Sequence, residues 1–218
     1  MSEIAKLTTR NKTALRDRAL VALLQGEVIV VAAEHGYLFA CDAFNPTAVA
    51  RLHLLRGDQP GTAAQVLIGK VNAVSGLAMD FDSEWQGIVN TFWPGLLTIQ
   101  LAPQSALSWD LGDGRALAEF AIRVPQRAFL LALLSRSGPL AVASAAMAGQ
   151  PAIREISGVR VMLSELGVLI DEGVLPEGPA STILRRPKSG FGIEALRIGA
   201  ISLAQLQEVV PTIVAAKP

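Results

Sequence analysis

One cysteine, two histidines and one tyrosine are all that 218 residues supply. A lone Cys41 excludes an internal disulfide, and His35 with His53 offer too few ligands for a zinc or haem centre, so no metal site is expected. Charge of one sign is lacking too. Nineteen basic residues cancel nineteen acidic ones, so the molecule as a whole exerts no net pull on nucleic acid or anionic lipid, and any anion site must be local. Long apolar runs are also missing: the stretches 28–33 and 129–134 fall far short of the roughly 20 residues a bilayer span needs. Near the N-terminus Lys6, Arg10, Lys12, Arg16 and Arg18 outnumber Glu3 and Asp17, and no uninterrupted apolar segment follows. Neither a targeting segment nor a membrane crossing is expected, and the implied setting is reducing cytoplasm. What the chain has in quantity is apolar surface, with 51% hydrophobic against 17% charged residues and a mean hydropathy of +0.41. Such a chain buries enough to offset its ordering entropy.

Hydrophobic spacing predicts alternating helices and strands. A helix over 13–24 ends at Gly26, a favoured stop, and the β-branched run 27–33 reads as a strand covered on both faces. After a turn at 34–36, Asn45 and Pro46 read as the N-cap and first position of a helix to about residue 55. Further strands are expected over 65–68, 96–101, 119–124, 140–145, 167–171, 182–185 and 195–198, and helices over 71–78, 83–92, 126–135, 159–166 and 203–210. A hairpin around 103–118, without an intervening helix, makes the sheet mixed rather than purely parallel. The Pro- and Gly-rich stretch 176–179 reads as a loop, leaving one α/β domain over 1–218.

Familiar phosphate and nucleophile motifs fail on inspection. Gly69 and Lys70 lack the earlier glycine and the following hydroxyl of a phosphate loop. Gly190, Phe191 and Gly192 imitate a dinucleotide fingerprint but precede a strand rather than a helix. Ser144, His35 and Asp42 make a triad on paper, with no nucleophile elbow to support it.

Six short segments carry the informative pattern, each bearing a hydroxyl, glycine or arginine just after an expected strand, where open α/β sheets place ligands. They are 32–37, 51–60, 92–98, 123–125, 144–149, and 181–183 followed by 196–199. In order and spacing they resemble the YrdC family of threonylcarbamoyl-adenylate synthases, over about residues 13–210. The resemblance implies a twisted sheet of parallel and antiparallel strands with flanking helices and a positively charged concave central cavity. It implies ATP, with Mg2+ as a companion ion, and a small amino acid as ligands. The family makes threonylcarbamoyl-adenylate and pyrophosphate from ATP, threonine and bicarbonate for the t6A modification of tRNA, so tRNA-modification machinery and double-stranded RNA are the implied partners.

Residue by residue, Arg56, Gly57 and Asp58 stand where the family carries a Lys-x-Arg pair that grips triphosphate and substrate carboxylate. Ser144, Ala145 and Gly149 match a Ser-Ala-Asn-x-Ser-Gly signature that here has Ala146 and Ala148 in place of the amide and second hydroxyl. Arg123, Ser181, Thr182 and Arg197 are unchanged, as is Tyr37. The resemblance therefore implies Arg56 at the reacting phosphate, and Tyr37, Arg123, Ser144, Ser181, Thr182 and Arg197 as nucleotide and substrate contacts. Two family threonines that help hold the amino acid are replaced by Ala33 and His35. His35 reads either as a general base in the vacated slot or as drift there. At an effective dielectric of 20 and about 5 Å, one unit charge pair is worth on the order of 3 kcal/mol, and the Asp58 carboxylate turns that attraction into repulsion.

Alternatives stand beside each assignment. Arg197, next to Gly199, is a phosphate anchor or a surface arginine ending a strand; Arg123 reaches a nucleotide or pairs with Glu119. Cys41 is a buried hydrophobe without a role, and residues 92–95 are packing at a helix end. The chain is accordingly either an ATP-using synthase of this type or a non-catalytic relative that keeps the fold and a cavity for nucleotide, RNA or protein.

Overall fold

Alternating apolar residues write one mixed sheet into the computed structural model, which describes residues 4–116, 118–187 and 191–216. Its strands are β1 (Ile4–Lys6), β2 (Ile29–Ala32), β3 (Tyr37–Asp42), β4 (Gln65–Leu67), β5 (Leu97–Leu101), β6 (Phe120–Arg123), β7 (Leu140–Ser144), β8 (Leu169–Asp171), β9 (Thr182–Arg185), β10 (Glu194–Arg197) and β11 (Val214–Ala215). Their spatial order is β1-β8-β2-β3-β7-β4-β6-β5-β9-β10-β11. Parallel pairs such as β4 with β6 and β5 with β9 stand beside antiparallel ones such as β2–β3, β3–β7 and β5–β6. The expected hairpin between β5 and β6 is therefore present, and the sheet is mixed as predicted.

The helices are α1 (Lys12–Leu24), α2 (Pro46–Arg56), α3 (Val74–Leu77), α4 (Ser83–Phe92), α5 (Ala128–Ser137) and α6 (Leu203–Val209). Local chemistry sets their ends. Asp82 Oδ1 accepts from the amides of Glu84 and Trp85, both at 3.1 Å, and starts α4. Asn45 Oδ1 accepts from Ala48 ahead of Pro46, and α2 stops at Gly57, whose φ of +72° suits glycine. Strand pleating divides the core between two faces. Ile29, Val31, Leu67, Leu140 and Val142 pack under α1 and α5, whereas Val30, Phe39, Val66, Ile99 and Ile122 pack against α2, α3, α4 and α6. The first of these clusters takes no residue from β5, β6, β9 or β10. Beyond α5, that face of the sheet turns polar.

Several elements depart from expectation. The 159–166 stretch forms no α-helix, only a 3-10 turn at Leu163–Glu165. Eight residues bracketed by Gly158 and Gly167 and carrying β-branched Val159 and Val161 are too short to nucleate alone. The expected helix over 71–78 splits into a 3-10 turn, Val71–Ala73, and α3. Strand β3 lies where the sequence predicts no strand, and the edge strands β1 and β11 are too short for any period to register. Gly190 lies outside the described residues. Among those described, no helix is long and apolar enough to cross a membrane, and no cluster of three or more His, Cys, Asp or Glu is placed to hold a metal ion.

Burial of Cys41, with no exposed surface, pushes its thiol from 9.0 up to about 12, and burial raises Tyr37 from 10.0 to about 12. Between these limits the folded state holds protons that the unfolded chain has released. Stability is therefore complete below pH 9 and falls as pH rises toward 12. Urea titrations should lose about 2–4 kcal/mol by pH 11, with the onset delayed by about one pH unit in Cys41→Ala.

Candidate functional site

On the polar half of the sheet the pleat brings together residues from distant strands. Thr98 and Arg123 each adjoin the paired Ile99 and Ile122 and point away from them, to the α5 side. Gln65 pairs with Val142, and Ser144, two residues on, shares its face. On β10 the register shifts between Ala195 and Arg197, so that Arg197 stands opposite Ile183 while Ala195 stands opposite Leu184. This bulge re-aims the arginine onto the same face.

Hydrogen bonds tie this band. Gln65 Nε2 donates to Thr98 Oγ1 at 3.1 Å, Thr98 Oγ1 donates to Ser181 Oγ at 3.0 Å, and Arg197 Nη2 donates to the same Ser181 Oγ at 3.1 Å. Arg197 Nε also donates to the Ser181 carbonyl at 3.0 Å. Arg197 remains exposed, so its fork is oriented by Ser181 while one edge faces solvent. Partial burial lowers its pKa. Thr182, expected as a ligand contact, is fully buried. Its Oγ1 donates to the Ile201 carbonyl and accepts from the amides of Gly199 and Ile201, which fixes the loop after Arg197.

Arg123 does not pair with Glu119. Its Nη2 donates to Glu34 Oε2 at 3.0 Å, both side chains are less than a tenth exposed, and the Gln126 amide donates to Glu34 Oε1 at 2.7 Å. Among the described residues Arg123 Nε is buried without a partner. The turn carrying Glu34 also carries His35, whose Nδ1 lies 3.1 Å from the Pro176 carbonyl and whose ring covers Gly178 so closely that a Cβ there would overlap it. His35, with Ala33 beside it, thus closes against the 172–181 loop. Next to this turn Arg127 pairs with Glu172 at 3.4 Å; burial raises the Glu172 pKa and Arg127 opposes the rise.

Tyr37 is buried. Its hydroxyl donates toward the Gly173 carbonyl at 2.8 Å and Asp171 Oδ1 at 3.2 Å, and accepts from the Glu172 amide at 2.9 Å. It positions the 171–173 turn. Ser144 ends β7 and accepts from the Ala146 amide at 3.3 Å. The loop 144–149 that it opens borders a cavity of about 520 Å3 lined by Ala145, Ala146, Met147, Ile153, Arg160 and Val161 among others. Arg56 meets that loop from the other side, its carbonyl accepting from the Ala148 amide at 3.0 Å. The paper triad of Ser144, His35 and Asp42 does not assemble. Asp42 pairs with Leu140 and Leu38 with Ser144, which separates the serine and the aspartate by four residues of strand, about 13 Å.

Asp58 is a correction to the repulsion expected of it. Its side chain is only 4% exposed and sits against Arg56 Nη1 at 3.0 Å and His53 Nδ1 at 2.8 Å. Its charge is spent inside the fold. Sequence reasoning also missed Gln65, a polar residue heading an otherwise apolar strand, and gave Glu34 and Thr98 no role.

Residues 21–199 match the Sua5/YciO/YrdC family model, described as telomere recombination. A Mycobacterium leprae protein named putative threonylcarbamoyl-AMP synthase is 34% identical over 192 residues, covering 88% of this chain and 86% of its own. The chain belongs to the Sua5/YciO/YrdC family. A Coxiella burnetii threonylcarbamoyl-AMP synthase is 31% identical over 74% of this chain and 85% of its own. Among solved structures, Pyrococcus abyssi Sua5 complexed with L-threonine superposes with a TM-score of 0.87 at 23% identity, over 99% of this chain. The present chain spans 63% of that Sua5 chain. Escherichia coli YciO gives 0.75 at 19% identity, over 91% of this chain and 96% of its own. These structures share the Sua5/YciO/YrdC fold with the present chain, including its mixed open sheet and flanking helices.

Proposed function

We propose that this protein is a threonylcarbamoyl-AMP synthase, joining ATP, threonine and bicarbonate for the t6A modification of tRNA. The observation that carries the proposal is the polar band from Ser144 through Gln65, Thr98 and Ser181 to Arg197, which lies on one sheet face of a chain whose named relatives bear that activity. Threonine amine and bicarbonate condense to a carbamate with loss of water. The carbamate carboxylate then attacks the α-phosphorus of ATP, an O–P bond forms, and pyrophosphate leaves with the electrons of the broken P–O bond. Negative charge accumulates on phosphate oxygens, and Arg197 and Arg56 supply fixed positive charge there. Ser144, the 144–149 amides and Ser181 supply hydrogen bonds, while Tyr37, Thr182 and the Arg123–Glu34 pair hold the loops that present them.

Threonine-dependent, bicarbonate-dependent release of pyrophosphate is the test. No release above blank refutes the proposal. A second reading, a non-catalytic relative that binds nucleotide without turnover, is favoured by Ala146 and Ala148 in the signature loop; it predicts ATP binding by calorimetry with no pyrophosphate.

The family resemblance implies that Ala33 and His35 replace two threonines that help hold the amino acid. Restoring both in Ala33→Thr/His35→Thr should lower the KM for threonine about 10-fold, since each neutral hydrogen bond contributes roughly 0.5–1.5 kcal/mol. An unchanged KM in steady-state assays would remove these positions from the amino-acid slot.

A further inference from the structure

Asp58 occupies a position where a carboxylate should repel phosphate, yet both of its oxygens are turned inward. Oδ1 lies 3.0 Å from Arg56 Nη1, while Oδ2 takes His53 Nδ1 at 2.8 Å and Arg56 Nη1 at 3.3 Å. The other imidazole nitrogen, Nε2, lies 2.8 Å from the Leu111 carbonyl, which also accepts from the Ala64 amide at the entry to β4. The room for that ring exists because residue 112 is glycine, at φ +104°, where a Cβ would overlap the imidazole. The other carboxylates of this turn are used locally: Asp110 Oδ1 accepts from the amides of Gly112 and Gly114, and Asp113 Oδ1 from that of Leu111. His53 thus faces Asp58 as its carboxylate, and Asp58 faces Arg56.

We propose that His53 and Asp58 are positioning residues for Arg56, a relay that anchors its guanidinium to the 110–114 turn and holds it beside the 144–149 loop. The inference rests on the nucleotide reading above and deepens it. A flexible arginine at the C-terminal end of α2 would lose side-chain freedom each time it gripped a phosphate. With the carboxylate already docked on it, that freedom is lost on folding instead. Among the described residues Arg56 Nε is buried without a partner, and the contacts to Asp58 run through Nη1.

The sign of one substitution decides the matter. A repelling carboxylate predicts tighter ATP binding in Asp58→Asn; a positioning carboxylate predicts weaker binding. Calorimetric titration with ATP should show Asp58→Asn weakened about 10-fold, with the KM for ATP raised in step and the KM for threonine unmoved. His53→Gln should weaken binding less, and should have no further effect in the Asp58→Asn background, because His53 acts only through Asp58. Asp58→Glu should recover part of the loss. Equal or tighter ATP binding in Asp58→Asn, or additive effects of the two substitutions, overturns the relay; should Asp58→Asn fail to fold, His53→Gln with raised ATP KM and unmoved threonine KM supports it, and an unchanged ATP KM overturns it. If the wild-type protein shows no heat with ATP, the nucleotide reading itself has failed. The relay is then decided by a crystal structure of Asp58→Asn, or of His53→Gln if the former does not fold: Arg56 displaced from its wild-type position supports it, and Arg56 unmoved overturns it.

Discussion

In urea, Arg123→Met should lower the unfolding free energy by about 3–5 kcal/mol. The substitution keeps much of the side-chain volume but leaves Glu34, less than a tenth exposed, with the Gln126 amide as its remaining donor. A buried carboxylate stripped of its cation loses far more than the net contribution of the pair, because its desolvation is no longer offset. Arg123→Met/Glu34→Gln should therefore recover most of the loss, and the cycle should give a large coupling between the two sites. Glu119→Gln, the partner that strand proximity suggests, should stay within about 0.5 kcal/mol of wild type. A full-sized loss in Glu119→Gln would mean that the pairing with Glu34 is not the one that holds β6 to the β2–β3 turn.

Activity should respond most to Arg197. Replacement by alanine removes a charge-assisted contact to phosphate worth roughly 1.5–3 kcal/mol, so pyrophosphate release should fall about 10- to 150-fold in kcat/KM for ATP. Because Arg197 is exposed, the melting temperature of the alanine variant should stay close to wild type, which separates this effect from the stability loss at Arg123. Arg197→Lys should recover only part of the activity. An ammonium does not reproduce the fork in which Nε and Nη2 bond the Ser181 carbonyl and hydroxyl together. Full activity in Arg197→Ala would place the phosphates elsewhere.

Local signals made much of the fold legible. The helix over 83–92 and the strand over 182–185 match their predicted bounds because each is set by nearby residues, Asp82 as a cap in one case and an apolar run opened by Thr182 in the other. Strand β3 is not predicted although residues 37–41 form an apolar run, because five apolar residues directly after a turn do not by themselves separate a strand from other buried chain; the pairing with both β2 and β7 is what makes it one. The site divides in the same way. Ser181 and Arg197, drawn from strand-end chemistry, do meet. That Arg197 reaches the right face depends on a bulge no local pattern announces. Arg123 finds Glu34 across 89 residues of chain, and Asp58 turns back onto Arg56 and onto His53, five residues upstream. The first pairing is made by topology; the second is local but needs the turn after Gly57, and it leaves an aspartate read as a defect in an anion site buried against an arginine and a histidine.

The account stands on one claim, that loops from β7, β9 and β10 with the end of α2 form a single nucleotide site. Titrating ATP into isotope-labelled protein and following backbone amide shifts tests it most directly. Ala145 to Gly149, Ser181, Thr182, Gly199 and Gly57 should move together along one binding curve, while Leu20 to Leu24 of α1 stay still. Shifts confined to α1 and the Asp42–Leu140 end of the β3–β7 pair, or separate curves for the 144–149 loop and for Ser181, would contradict it.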